Sequence, residues 1–313
     1  MKIGRNLFST LTMVAGTLSI ITFLLTVFKK ISIPFEGFEI VIASLFGAIV
    51  SFYLANFVRV LNKNPEPLKV GIIGQQNAGK TVYLTILFRE LSSYISHNIS
   101  FQPYGTETID NVTKNLNMLT TGKWLPKTTK GPVDPFLANL KIGQSMFSKK
   151  YTLEINDYAG EHTEELDNTN EKYQYKTDYL KYLVQADGLF IAVDGQKICE
   201  KKESQIYEMI HVLVANLQVT FNEKGVFAGE TSKIPIAILI LKSDLLSYHS
   251  ITRDEVFTNI KHLWNVCSKL SKKVEVFFVS AVGEIQKDGS PPTTLKPKEV
   301  VYPAVWLTSN IKS

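Results

Sequence analysis

Cysteine is scarce in this chain of 313 residues, which contains only Cys199 and Cys267. Two thiols cannot build a multi-disulfide scaffold or a zinc site made of several cysteines, and so low a cysteine content suits a reducing compartment. The sequence also lacks an evident Ser-His-Asp arrangement and internal repeats. We therefore interpret both cysteines as structural thiols and look elsewhere for the chemistry.

A strong net charge is also missing. The chain has 34 Lys and Arg against 29 Asp and Glu, a formal charge of +5 at pH 7. Residues 1–62 hold five basic and two acidic side chains, hence +3, which leaves +2 for residues 63–313. A nucleic-acid-binding domain normally carries a basic patch. We therefore expect no nucleic-acid partner.

Two uncharged runs near the start of the chain stand out against its near-zero mean hydropathy. They cover residues 6–28 and 40–58, with a short polar connection between them. Runs of about 20 apolar residues are long enough to cross a bilayer as helices. The sequence predicts a transmembrane hairpin over residues 1–62, with one span plus a re-entrant or interfacial helix as the alternative, and a second domain over residues 63–313.

A glycine-rich loop follows the first predicted strand of the second domain. After the β-branched run 68–74 comes the pattern GxxxxGK[ST] at 74–81, and then the periodicity of an amphipathic helix. Backbone N–H groups of such a loop point at phosphates, Lys80 can reach them, and Thr81 can ligate Mg²⁺. The candidate nucleotide-binding residues here are Gly74, Asn77, Ala78, Gly79, Lys80, Thr81 and Val82.

A second pattern, DxxG, lies at the end of another predicted strand. Residues 151–157 alternate as a strand does and end in Asp157, with Gly160 three positions later. A carboxylate beside a phosphate loop can hold Mg²⁺, and a glycine lets the backbone N–H approach the γ-phosphate. We predict Asp157 as a metal residue and Gly160 as a sensor of the bound nucleotide.

Recognition of a base is predicted from two further strand ends. The apolar run 234–241 precedes Lys242 and Asp244, and a run ending at 279 precedes Ser280 and Ala281. An aspartate can accept hydrogen bonds from the N1–H and 2-amino groups of guanine, which adenine does not offer. The Lys242 stem can lie along the base, and the turn at 280–281 can contact the guanine oxygen.

Taken in order, GQQNAGKT, DYAG, LKSD and SAVG resemble the motifs of a Ras-like P-loop GTPase of the translation-factor-related (TRAFAC) class, over about Leu68 to Leu307. The runs GKWLPKT at 122–128, DYAGE at 157–161 and VYPAVWL at 301–307 are similar to bacterial conflict-associated double-GTPase domains. This resemblance implies GTP or GDP with Mg²⁺ as ligands. It also implies that Thr128, with Thr129 as its rival, is the switch I threonine that closes on Mg²⁺ and the γ-phosphate.

The implied fold is an α/β G domain with a mostly parallel central sheet flanked by helices. We expect strands near 68–74, 136–143, 151–157, 188–194, 234–241 and 274–280. We expect helices near 79–94, 171–185, 200–221 and 253–271.

Three departures from the family pattern qualify this resemblance. Leu241 stands where Asn or Thr usually precedes the Lys-x-Asp, so a hydrogen bond back to the phosphate loop is lost. Glu161 replaces the glutamine that orients the attacking water, so hydrolysis is expected to be slow, partner-dependent or differently organised. The surplus of chain at 97–135 predicts an enlarged switch I region, with a helix at 106–119, that offers an effector surface.

These observations predict a membrane-anchored GTPase that acts as a molecular switch for a partner protein. Lys80, Thr128, Gly160 and Glu161 are the candidate catalytic residues, and Thr81, Thr128 and Asp157 the candidate metal ligands. The alternatives are a nucleotide-binding scaffold without hydrolysis and a P-loop ATPase. Flanking positive charges barely distinguish the two orientations. We place both ends and the G domain in the cytosol, at a bacterial inner membrane, because GTP is cytosolic.

Overall fold

The computed structural model describes Ile49 and residues 64–94, 99–128, 135–143, 148–158, 178–226, 229–286 and 288–311. The chain divides into two units, one of residues 1–64 with 144–148 and one of residues 65–143 with 149–313. Ile49, Asn64 and Ser148 are the residues of the first unit that fall within the described part. Every numbered strand and helix belongs to the second unit.

A seven-stranded sheet forms the centre of the second unit, in the order β2-β3-β4-β1-β5-β6-β7. Its strands are β1 (Glu66–Ile73), β2 (Ile99–Pro103), β3 (Phe136–Ile142), β4 (Lys149–Ile155), β5 (Gly188–Asp194), β6 (Ile236–Leu241) and β7 (Val274–Val279). Strand β1 pairs in parallel with β4 and β5, and β6 pairs in parallel with β5 and β7. Strands β2, β3 and β4 pair antiparallel.

The central strands are apolar along their whole length because helices cover both faces of the sheet. Every residue of β5 and β6 is buried. Successive residues point to opposite faces, so Phe190 lies in one apolar cluster and Ile191 in the other. Strand β3, nearer the edge, mixes buried with exposed positions, as expected where cover is partial.

Eight helices occur in the described part of the second unit. They are α1 (Lys80–Ser93), α2 (Thr106–Thr120), α3 (Asp178–Gln185), α4 (Gly195–Cys199), α5 (Glu203–Glu223), α6 (Ser243–Tyr248), α7 (Arg253–Leu270) and α8 (Tyr302–Ile311). Helices α1, α2 and α8 contribute to one apolar cluster, for example through Leu84, Leu119 and Leu307. Helices α3, α5 and α7 contribute to the other, so two cores enclose the sheet.

The observed elements confirm the predicted α/β fold with a mostly parallel sheet. The helix predicted at 106–119 is present as α2, but the segment around it is more than an enlarged loop. Strand β2 precedes α2 and pairs with β3, which extends the sheet. Helices α4, α6 and α8 were not predicted. Residues 171–177 of the helix predicted at 171–185 lie outside the described part of the chain.

Within the described residues, no helix has the length and apolar content needed to cross a bilayer. The predicted spans at 6–28 and 40–58 fall outside those residues, apart from Ile49.

Candidate functional site

The phosphate loop leads from β1 into α1, and its backbone geometry requires small residues. Gly79 has φ +95°, and Asn77 also has a positive φ of 62°. A Cβ on Gly74 would lie 2.8 Å from the Cβ of Ala192 on β5, so the loop packs directly on the neighbouring strand. The Lys80 ammonium donates to the carbonyl oxygens of Gly74 at 2.7 Å and Gln75 at 3.2 Å. The buried lysine thereby lies across its own loop.

Thr81, Thr128 and Asp157 converge beside this loop. The Thr81 hydroxyl donates to Asp157 Oδ2 at 2.5 Å, and it lies 2.9 Å from the Thr128 hydroxyl. Either hydroxyl can be the donor in the contact between the two threonines. Burial raises the pKa of Asp157, while Lys80 and the two threonines act in the opposite direction. The three predicted metal residues are therefore brought together.

This cluster fits a divalent cation. Asp157 Oδ1 is buried and has no hydrogen-bond partner among the described residues. A buried carboxylate oxygen without a partner is costly unless a proton or a cation compensates it. Carboxylate and hydroxyl oxygens are hard ligands of the kind that Mg²⁺ prefers. Thr81, Thr128 and Asp157 would hold the ion.

The predicted base-recognition residues lie at the ends of β6 and β7. Asp244 lies in the first turn of the short helix α6, and its Oδ1 accepts a hydrogen bond from the Ser280 hydroxyl at 2.7 Å. Ser280 is fully buried and accepts in turn from the N–H of Gly283 at 3.1 Å. Burial raises the pKa of Asp244, and the bond from Ser280 lowers it. Ser280 thus orients the carboxylate and favours its ionised form.

Lys242 adopts a left-handed backbone conformation, with φ 57° and ψ 38°, just before α6. This conformation costs a residue other than glycine about 1–2 kcal/mol. The Lys242 ammonium forms an ion pair with Asp194 at 2.9 Å. The side chain is therefore fixed at the end of β5, beside the phosphate loop.

A single cavity of about 710 Å³ joins the phosphate loop to the base-recognition residues. This volume lies within the usual range for small-molecule sites. The predicted residues that line it are Asn77, Ala78, Gly79, Lys80, Thr81, Val82, Thr128, Lys242, Asp244 and Ala281. Gly74, Asp157 and Ser280 do not line it, although Asp157 and Ser280 hydrogen-bond to residues that do. Thr129, Gly160 and Glu161 lie outside the described residues.

One wall of the cavity was not predicted from the sequence. Trp124, within the GKWLPKT run, lines it together with Leu125 and Ile285. The Trp124 indole N–H donates to the carbonyl oxygen of Gly289 at 2.8 Å, a contact between segments 165 residues apart. Sequence spacing carries no signal for such a contact. A tryptophan in an otherwise polar loop, however, is often part of a binding surface, and Trp124 is partly exposed.

The fold and this site together define a P-loop GTPase. A phosphate loop follows the central strand β1 of a mostly parallel sheet, and a Lys-x-Asp motif follows β6, which is separated from β1 by β5. The profile of the Double-GTPase 2 family matches residues 69–286. The chain therefore belongs to the Double-GTPase 2 family, and the predicted P-loop GTPase is confirmed.

The chain is also similar to a solved structure, that of the Arl6 BBS3 small GTPase from Trypanosoma brucei with the bound nucleotide analogue GppNp. The two chains share 13% sequence identity with a TM-score of 0.42, and the match covers 78% of this chain and 97% of the other. A comparison with curated proteins finds no match.

Replacing Ser280 by alanine should make guanine-nucleotide affinity more sensitive to acid. The substitution removes a donor to Asp244, so the pKa of that carboxyl rises further, and only its ionised form can accept two N–H groups of guanine. We expect a loss of about tenfold near pH 6 and a smaller loss at pH 8, measured by titration with a fluorescent GDP analogue.

Ser290→Ala is the matched control, because it breaks a Ser–Asp hydrogen bond of the same 2.7 Å length to the exposed Asp288. This control should leave the pH profile unchanged. Superimposable profiles for Ser280→Ala and the parent chain would contradict the role given to Ser280.

Proposed function

We propose that the chain is a membrane-anchored GTPase that binds GTP with Mg²⁺, hydrolyses it, and switches a partner protein. The observation that carries the proposal is the cavity of about 710 Å³ with a phosphate loop at one end and Asp244 at the other. A nucleotide has the same two ends, a polyphosphate and a base. Membership of the Double-GTPase 2 family supports the assignment.

Each end of the cavity would hold its own part of GTP. The backbone N–H groups of residues 77–81 and the Lys80 ammonium would bind the phosphates. Asp244, kept ionised by Ser280, would accept hydrogen bonds from the guanine edge. Mg²⁺ held by Thr81, Thr128 and Asp157 would supply positive charge to the β- and γ-phosphates.

The contact between Thr81 and Thr128 supports the switching function. Thr128 follows α2, which ends at Thr120, and its hydroxyl lies 2.9 Å from that of Thr81. A γ-phosphate and its cation would compete for the same hydroxyl, so the position of residues 120–131 would depend on the bound nucleotide. We propose that residues 160–171 switch together with this loop, and that the enlarged switch I region at 97–135 offers the effector surface.

Slow intrinsic hydrolysis is part of the proposal. Glu161 stands at the position of the water-orienting glutamine, and a carboxylate cannot donate a hydrogen bond as an amide does. A partner would then accelerate turnover by completing the site. The same residue favours the second candidate, a scaffold that binds GTP without hydrolysing it.

Single-turnover hydrolysis of GTP by the full-length chain should separate these two functions. We expect slow, Mg²⁺-dependent release of phosphate, faster in Glu161→Gln because the amide can orient water. Lys80→Ala should lose at least about 100-fold in nucleotide affinity, since a charge-assisted contact to the phosphates disappears.

Lys181→Ala is the control, because it changes an exposed lysine of α3 and should leave nucleotide affinity unchanged. Lys197 would not serve as a control, because it contacts the phosphate loop. Binding of GTP without any release of phosphate, in the parent chain and in Glu161→Gln, would favour the scaffold. Undiminished affinity in Lys80→Ala would contradict the site assignment.

Membrane anchoring is the second part of the proposal and depends on the uncharged runs 6–28 and 40–58. Two spans would leave both ends on one side of the membrane. The short segment NKNP at 62–65, which precedes β1, would then hold the GTPase domain close to the bilayer, on the cytosolic side where GTP is present. The partner protein would then bind the GTPase domain at the cytosolic surface of the membrane.

The full-length chain should remain in the membrane pellet after extraction at alkaline pH. A chain with both Leu18→Arg and Leu45→Arg should be released or degraded, because each arginine at a span centre costs about 2.5–3.5 kcal/mol of insertion free energy. Leu18→Ile with Leu45→Ile is the control and should pellet like the parent. Release of the parent chain would exclude the hairpin.

A further inference from the structure

The junction of β5 with α4 lies between the two ends of the cavity. Strand β5 is placed between β1, which leads into the phosphate loop, and β6, which leads into the Lys-x-Asp motif. Because these strands are parallel, their carboxyl ends meet at one edge of the sheet. Residues 194–197 (DGQK), the last residue of β5 and the first three of α4, are here called the bridging turn and have one loop on each side.

On one side the bridging turn holds the base-recognition loop. The nearly fully buried carboxylate of Asp194 contacts the Lys242 ammonium through both oxygens, at 2.9 and 3.0 Å. Gln196 Oε1 accepts a further bond from the same ammonium at 3.1 Å. A Cβ on Gly195 would collide with the carbonyl oxygen of Leu241. The turn and the end of β6 are thus in direct backbone contact.

On the other side the same turn holds the phosphate loop. The Lys197 ammonium donates to Gln75 Oε1 at 2.7 Å. Gln75 is buried, and its carbonyl oxygen accepts a hydrogen bond from Lys80 at 3.2 Å. Lys197 therefore ties the bridging turn to the side chain of Gln75, whereas Lys80 is held by backbone carbonyls of the loop itself.

Leu241 explains why such a link is needed. Its apolar side chain, buried between the two loops, cannot donate or accept a hydrogen bond. A Cβ added to Gly79 would lie 3.9 Å from a methyl carbon of Leu241, so Leu241 lies next to the phosphate loop. It can offer the loop only van der Waals contact. The polar connections run instead through Asp194 and Lys197.

We propose that the bridging turn sets the separation between the phosphate loop and Asp244, with Asp194 and Lys197 as positioning residues for guanine nucleotides. This inference rests on the proposed function, because the separation matters only to a ligand that uses both ends of the cavity. Small misplacements of a binding group lower affinity steeply. The bridging turn therefore favours ligands whose two ends match the separation between the phosphate loop and Asp244.

Two ligands of different reach test the proposal on the full-length chain. GTP uses both ends of the cavity, whereas inorganic tripolyphosphate reaches only the phosphate loop. We expect Asp194→Asn and Lys197→Met each to weaken GTP about tenfold, because each removes a charge-assisted hydrogen bond. Tripolyphosphate affinity should stay within about twofold of the parent chain. The double variant should lose less than the product of the two single losses.

Asp178→Asn and Lys181→Met are matched controls, because they remove the partners of an exposed ion pair of 3.0 Å in α3. Both should bind GTP and tripolyphosphate like the parent. Equal losses for the two ligands in the Asp194 and Lys197 variants would show a merely structural role and overturn the inference, as would unchanged GTP affinity. A parent chain that does not prefer GTP to ATP would instead contradict the proposed function.

Discussion

Parallel pairing of β1 with its two neighbours is the constraint on which the site depends. It brings the carboxyl ends of β1, β4, β5 and β6 to one edge of the sheet, and the chain places a polar or glycine-rich segment after each. The apolar cover on both faces makes the strands rigid and leaves chemistry to these segments. Strands β4, β1, β5 and β6 are successive neighbours in the sheet. The segments that follow them are therefore close in space: Asp157, the phosphate loop, the bridging turn and Asp244.

Buried charge at this edge is balanced by short-range contacts. Asp157 has Lys80, Thr81 and Thr128 near it, and Asp194 has Lys242. Burial raises the pKa of Asp157, and Lys80, Thr81 and Thr128 act in the opposite direction. Such carboxylates are costly for stability, and their concentration at one edge of the sheet marks a functional site rather than a structural one.

The fold was predictable wherever the sequence pattern is strong. Continuous apolar runs identified β5 and β6, because strands buried on both faces carry no polar positions. Strand β2 was missed because its five residues (ISFQP) are short, mixed and end in proline, and only pairing with β3 makes them a strand. Helices α4 and α6 were missed because five and six residues show no helical period.

For the site, motif order was enough to predict that the phosphate loop and Asp244 share one cavity. Thr128 was predicted only from the resemblance to double-GTPase domains, because its spacing from the other motifs carries no signal. Trp124 and the bridging turn were not predicted, because their contacts, Trp124 to Gly289 and Lys197 to Gln75, join segments more than 100 residues apart. Tertiary hydrogen bonds of this range leave no local pattern.

Competition between ATP and GTP for the full-length chain tests the central claim most directly. With a labelled guanine nucleotide bound, GTP should displace the label at concentrations at least about 100-fold below those needed for ATP, since adenine leaves Asp244 without its donors. Asp244→Asn should narrow that ratio toward one. Displacement by ATP as readily as by GTP in the parent chain would contradict guanine recognition by this site.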